Sequence, residues 1–140
     1  KSILIKLLNP QAVKNTDFLG HIQRSSFDKM YPSFDCYIMS SRFESLGFVV
    51  LEAMRAGLPV IASNMCEMPR IIKEDINGIL FESGNFYDLA EKIENLIQNF
   101  NKQKNIGLSG RLYVENLVNE KKPIQQMIDL YYLISKNSQQ

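Results

Sequence analysis

At 140 residues, with 45% hydrophobic and 22% charged side chains, the chain has the size and make-up of one globular domain, which excludes disordered and fibrous classes. A formal net charge of +1 excludes nucleic acid or an anionic membrane as a partner recruited by bulk electrostatics, so any anion must be held locally. No run approaches the roughly eighteen apolar residues of a membrane span, and Cys36 and Cys66 lack the paired spacing of a zinc or redox site and suit a reducing compartment.

The opening KSILIKLL is short, is interrupted by Lys6 and has no cleavage site, so it does not read as a signal peptide; the chain also does not begin with Met. Ile3–Leu8 fits a strand or a short helix, ended in either case by Asn9-Pro10. Thr16–Leu19 reads as a strand that stops at Gly20-His21, and Ser25 or Ser26 as the cap of a short helix ending before Pro32. Cys36–Met39 is a buried strand, Val60–Ala62 another, and Met68–Lys73 a short helix opened by Pro69. Gly78–Phe81 is a further strand. Asn85 or Asp88 starts an amphipathic helix through Ile97, with Leu89, Ile93, Leu96 and Ile97 on one face. Helices follow over 104–118 and 123–136, the second with an apolar stripe of Ile124, Met127, Ile128, Tyr131 and Ile134. This alternation predicts an α/β fold, a Rossmann-like parallel sheet with helices on both faces.

The densest stretch is Tyr37–Pro59. A strand passes through a polar turn into a short helix that begins around Gly47 and runs to Ala56. Ser45 is placed to cap it, Gly57 to end it, and Pro59 to prevent its continuation. Glu44 and Glu52 bracket the helix start with seven residues between them. The first amides of a helix lack internal partners and carry partial positive charge, and a glycine there admits an anion close to the backbone. One acid before the helix and one within it can accept hydroxyls on either side of such an anion. The same residues also fit a plain helix with a solvated Glu44 and an exposed Glu52–Arg55 pair, and spacing alone leaves both readings open.

His21 is the only histidine, and no Asp-x-Asp pair exists, so neither a histidine-based triad nor the usual carboxylate clamp for a metal-bound nucleotide sugar can be assembled. Glu74-Asp75 reads as a solvated turn.

Ser40–Ala62, SSRFESLGFVVLEAMRAGLPVIA, resembles the Glu-x7-Glu frame of the retaining glycosyltransferase family 4, whose members have the two-domain GT-B fold. Asn77–Phe81 is similar to that family's N-G-x-L-F segment, Leu89–Ile93 to its L-A-x-x-I helix, and Phe18–His21 to its F-L-G-x turn. The resemblance implies the C-terminal, donor-nucleotide half of such an enzyme: a single nucleotide-sugar-binding domain over 1–140, with a lead-in at 1–15, a core at 16–100 and C-terminal helices at 101–140. It implies transfer of a sugar, with retention, from a nucleotide-diphosphate donor to a saccharide or lipid-linked acceptor. Glu52 would accept the ribose hydroxyls, Glu44 would hold donor-sugar hydroxyls as the catalytic position, and Ser45 and the amides of Leu46, Gly47 and Phe48 would meet the donor diphosphate.

No cofactor and no metal are implied, and no nucleic-acid partner. The N-terminal GT-B domain would be missing from this chain, which alone would be an inactive half. The matching expectation is a cytoplasmic protein at the inner face of the membrane, with peripheral membrane contact through the missing half. The frame departs from the family at Cys66–Arg70, where glycines and an acid are replaced, and the Arg and Lys pair that clamps the diphosphate in the family has no counterpart before Thr16. The competing readings are a noncatalytic nucleotide-sugar-binding or partner subunit and a GT-B-type nucleotide-sugar epimerase.

Overall fold

In the computed structural model the described residues are 10–44 and 47–119. The expected element at Ile3–Leu8 and the helix at 123–136 lie outside them. The chain divides between Met30 and Tyr31 into two compact units.

The first unit holds α1 (Pro10–Lys14) and α2 (Arg24–Met30). Pro10 opens a helix rather than only ending one, as its fixed φ and missing N–H allow at a first helical position. Thr16–Leu19 is not a strand. Thr16 folds back on α1, its Oγ1 donating to the Ala12 carbonyl at 2.7 Å, and the described residues of this unit offer no strand to pair with it. Helix α2 starts one residue before Ser25, with the amides of Ser26 and Phe27 both donating to the Gln23 carbonyl, so the two serines lie inside the helix and do not cap it. His21 is exposed, directly after Gly20 at φ +72°.

The second unit opens with a 3-10 turn (Tyr31–Ser33) and then alternates: β1 (Tyr37–Met39), α3 (Phe48–Arg55), β2 (Val60–Ser63), α4 (Met68–Ile71), β3 (Ile79–Phe81), α5 (Phe86–Ile97) and α6 (Phe100–Asn119). The strands are parallel in the order β1-β2-β3, with Tyr37 opposite Val60 and Ile61 opposite Ile79. Strand β2 is buried along its whole length, as the middle strand of a parallel sheet must be. Ile61, Ile79 and Phe81 meet Leu96 and Ile106, with Leu89, Ile93 and Cys36 packed around them, while α3 lies against β1 and β2. This is the Rossmann-like α/β arrangement expected from the sequence.

Element ends follow local chemistry. Helix α3 finishes as a Schellman motif: the Gly57 amide donates to the Met54 carbonyl and the Leu58 amide to that of Ala53, with Gly57 at φ +83°. Asn85 caps α5 through its side chain, which accepts from the amides of Tyr87 and Asp88. Of the face expected on α5, Leu96 is buried and Leu89 and Ile93 half-buried, but Ile97 is exposed, because the helix ends there and its side chain clears the sheet. Helix α6 begins at Phe100 rather than 104, since Asn99 accepts the Lys102 amide and starts it earlier. Glu74 and Asp75, although exposed, are tied down: Glu74 accepts the Leu80 amide and pairs with Lys92, and Asp75 pairs with Lys102.

Candidate functional site

A parallel sheet delivers all its strands' carboxyl ends to one edge, here Met39, Ser63 and Phe81, and the loops after them form the crevice where such folds bind ligands. Those loops are laced together. The Ser63 hydroxyl donates to the Ser41 carbonyl at 2.6 Å, the Asn64 amide to Phe81, and the Ser83 amide to the Asn64 side chain at 3.1 Å. The start of α3 sits within this laced edge.

The cap of α3 is Gly47, at φ +63° and ψ +31°, and not Ser45. Ser45 and Leu46, both expected in the site, lie outside the described residues. Glycine at position 47 has two causes. The left-handed backbone costs an ordinary L residue roughly 1–2 kcal/mol, and a Cβ would run into the Met68 side chain and come within 3.3 Å of Ile71. The left-handed backbone is the stronger of the two causes, since the Met68 contact is with the far end of a flexible side chain that can shift. The Gly47 amide donates to Glu44 Oε1 at 3.2 Å, which sets the acid against the positive end of the helix. Phe48 and Val49, as the first two helical residues, have amides with no intrahelical acceptor.

Glu52 is half-buried in the second turn of α3. The charges of Glu44 and Glu52 both reach a residue that the sequence did not single out, Tyr37 on β1. Burial first, and then the charges of Glu44 and Glu52, push the Tyr37 phenol above its ordinary range. No spacing rule would have found Tyr37, because the charges that act on it reach it only through the tertiary fold. The exposed Phe48 side chain takes no part in this cluster.

In the divergent loop, Cys66 adopts φ +54°, so the chain keeps a glycine-like backbone where the glycine itself is gone. Arg70 is exposed and pairs with Glu67 one turn earlier at 3.1 Å. The Cys36 thiol, half-buried, is raised by burial and by the Asp35 charge. Among the described residues no three acidic, histidine or cysteine side chains converge on a metal site.

Comparison with known proteins decides the family. Residues 6–113 match the sequence profile described as "Glycosyl transferases group 1". The chain belongs to the glycosyl transferases group 1 family. A relative among curated proteins, the sulfoquinovosyl transferase SQD2 of Arabidopsis thaliana, is 38% identical over 97 residues, covering 67% of this chain and 19% of that protein. Among solved structures, a sucrose-phosphate synthase from Thermosynechococcus elongatus superposes with a TM-score of 0.82 at 24% identity, over 97% of this chain and 34% of its own. Anabaena HepE in complex with UDP superposes with a TM-score of 0.81 at 22% identity, over 91% of this chain and 36% of its own. The chain thus spans about a fifth to a third of these proteins. As a group 1 glycosyltransferase domain it has the fold of the C-terminal half of a GT-B enzyme. No helix among its described residues is long and apolar enough to cross a membrane.

Proposed function

We propose that this chain is the donor-binding half of a glycosyltransferase that moves a sugar, with retention of configuration, from a nucleotide-diphosphate sugar to a saccharide or lipid-linked acceptor. The observation that carries this reading is the Glu44 carboxylate held 3.2 Å from the Gly47 amide at the start of α3, with Glu52 in the second turn of the same helix. That start offers amides and a positive dipole end to a diphosphate, and the two acids supply acceptors for hydroxyls on either side of it. Glu52 takes the ribose and Glu44 the donor sugar. The amides of Leu46, Gly47 and Phe48, with Ser45 beside them, receive the diphosphate, and Val49 adds a further amide. The family and the UDP held by HepE, a protein of the same fold, support a nucleotide-sugar donor.

The main demand on such a site is to stabilise the negative charge that grows on the departing diphosphate. Fixed dipoles in a site that excludes water do this most effectively. The acceptor and the groups that close over the donor belong to the N-terminal GT-B domain, with any contact at the inner face of a membrane. The test is a transfer assay on the complete protein with a panel of nucleotide sugars and saccharide or lipid-linked acceptors. Release of nucleoside diphosphate that depends on acceptor, with sugar found on the acceptor in its original anomeric configuration, is the expected result. Isomerised sugar with no acceptor consumed would overturn the reading in favour of an epimerase, and binding without turnover in favour of a noncatalytic subunit.

A further inference from the structure

Strand β2 reads Val60-Ile61-Ala62-Ser63, three apolar residues followed by a hydroxyl, and all four are buried. Ser63 is 1% exposed and, with Asn77, is one of two buried polar residues among those described. A buried hydroxyl is costly unless it is paired, so its presence at the end of an apolar strand calls for a partner. That partner is the Ser41 carbonyl, reached at 2.6 Å across 22 positions of sequence.

Ser41 lies in a segment that packing does not hold. Ser40, Ser41, Arg42 and Phe43 are all exposed, Phe43 by 80%. The segment is pinned at one end by the Ser63 bond and at the other by the bond from Gly47 to Glu44, with only Arg42 and Phe43 between Ser41 and Glu44. Glu44 lies three positions from the anchored carbonyl, so that anchor bears on where its carboxylate sits.

We propose that Ser63 is a positioning residue for Glu44: by anchoring the Ser41 carbonyl, its hydroxyl fixes the segment that sets the Glu44 carboxylate over the start of α3. What Glu44 does for the donor sugar rests on the function proposed above, but the anchoring does not, and the two can fail separately. Ser63 itself touches no ligand in this scheme and acts only through Glu44.

The test compares Ser63→Ala and Ser63→Thr in the complete protein. Hydrogen exchange read residue by residue should show the Gly47 amide exchanging about fivefold faster in Ser63→Ala, the scale of one lost hydrogen bond. The sheet amides of Tyr37 and Ile61 should be unchanged, and Ser63→Thr, which keeps the hydroxyl, should behave as the parent. Unchanged exchange at Gly47, a sheet that loosens by the same factor, or a threonine variant that matches the alanine one would overturn the role. Turnover gives the second readout. Ser63→Ala should lower kcat about tenfold without weakening nucleoside-diphosphate binding. In a Glu44→Ala background it should lower kcat no further, as expected of two residues acting through one group. Additive losses would overturn the proposal. A complete protein that transfers no sugar from any donor would contradict the proposed function instead, and the exchange comparison then decides the role of Ser63 alone.

Discussion

The Glu44 carboxylate accepts the Gly47 amide at 3.2 Å, so the acid proposed to hold a donor sugar also occupies one of the amides proposed for the diphosphate. In the proposed site a bound diphosphate and Glu44 would compete for that N–H, and their charges would repel.

Removing the competitor should separate binding from turnover. Glu44→Ala is expected to tighten nucleoside-diphosphate binding by about 0.5–1.5 kcal/mol, the net scale of one hydrogen bond, while turnover of the complete enzyme falls about a hundredfold. Calorimetry beside a transfer assay checks both. Turnover that survives the change would remove Glu44 from the catalytic position.

Glu52 should behave in the opposite way. As the acceptor for ribose hydroxyls, its conversion to glutamine is expected to weaken nucleoside-diphosphate binding by ~1–3 kcal/mol. Titration with uridine, guanosine and adenosine diphosphates reads the change. Affinities unaltered for every nucleotide that the parent binds would sink the ribose assignment.

The packing of Gly47 against α4 makes a prediction about stability. Gly47→Ala combines a left-handed backbone with a methyl that displaces the end of the Met68 side chain, and should cost about 1–3 kcal/mol. Met68→Ala alone should cost about 2–5 kcal/mol through the cavity it leaves. Together they should cost less than the sum, because the shortened side chain at 68 makes room for the new methyl. Urea unfolding of the four proteins closes this cycle, and strict additivity would show that the clash is absorbed elsewhere.

Tyr37 reports on the two acids through its proton. Burial, then Glu44 and Glu52, raise its phenol above the ordinary 10.0. The folded protein therefore keeps this proton to higher pH than the unfolded chain does. The associated stability is intact below the unfolded value, and it is lost as pH rises through the folded one. Tyr37→Phe should remove this part of the alkaline loss. Glu44→Gln combined with Glu52→Gln should let the phenol ionise at lower pH, as read from the ultraviolet band of tyrosinate. A phenol indifferent to both acids would separate Tyr37 from the site.

A GT-B site closes between two domains that exclude water and supply groups from both sides. The 140-residue chain alone is therefore expected to bind nucleotide sugar weakly at best and to transfer nothing, while the complete protein transfers. Clear transfer by the chain alone would refute the half-enzyme reading.

Much of this was legible where local chemistry decides the outcome. Gly57 and Pro59 end α3 as their backbone preferences require, and Asn85 caps α5 with its own side chain. The parallel alternation followed from apolar runs separated by such punctuation. Thr16–Leu19 failed because a stretch of four residues becomes a strand only beside a neighbour, and pattern alone does not supply one. Serine at 25 and 26 suggested a cap, but the helix takes its first acceptor from the Gln23 carbonyl, and a backbone oxygen leaves no mark in the sequence. The acids at 44 and 52 stood out by spacing. Tyr37 and Ser63 did not, because each acts on a loop or helix brought to it only by tertiary packing.

Helix α3 is stopped at both ends. Gly47 abuts Met68, and just past the other end the Gly57 carbonyl lies so close to Gly107 of α6 that no side chain fits between them. Glycines at these contacts let the helix seat closely against its neighbours, and the helix itself is a gauge of fixed length. From the amide of Phe48 to the residue carrying the Glu52 carboxylate is four residues of helical rise, about 6 Å. In the proposed site, a ligand that engages both would match that span between its phosphate and its ribose, which favours one length of phosphate chain. In that site, latitude toward different sugars would fall to the exposed segment that leads to Glu44, in which residues 40–44 belong to no helix or strand.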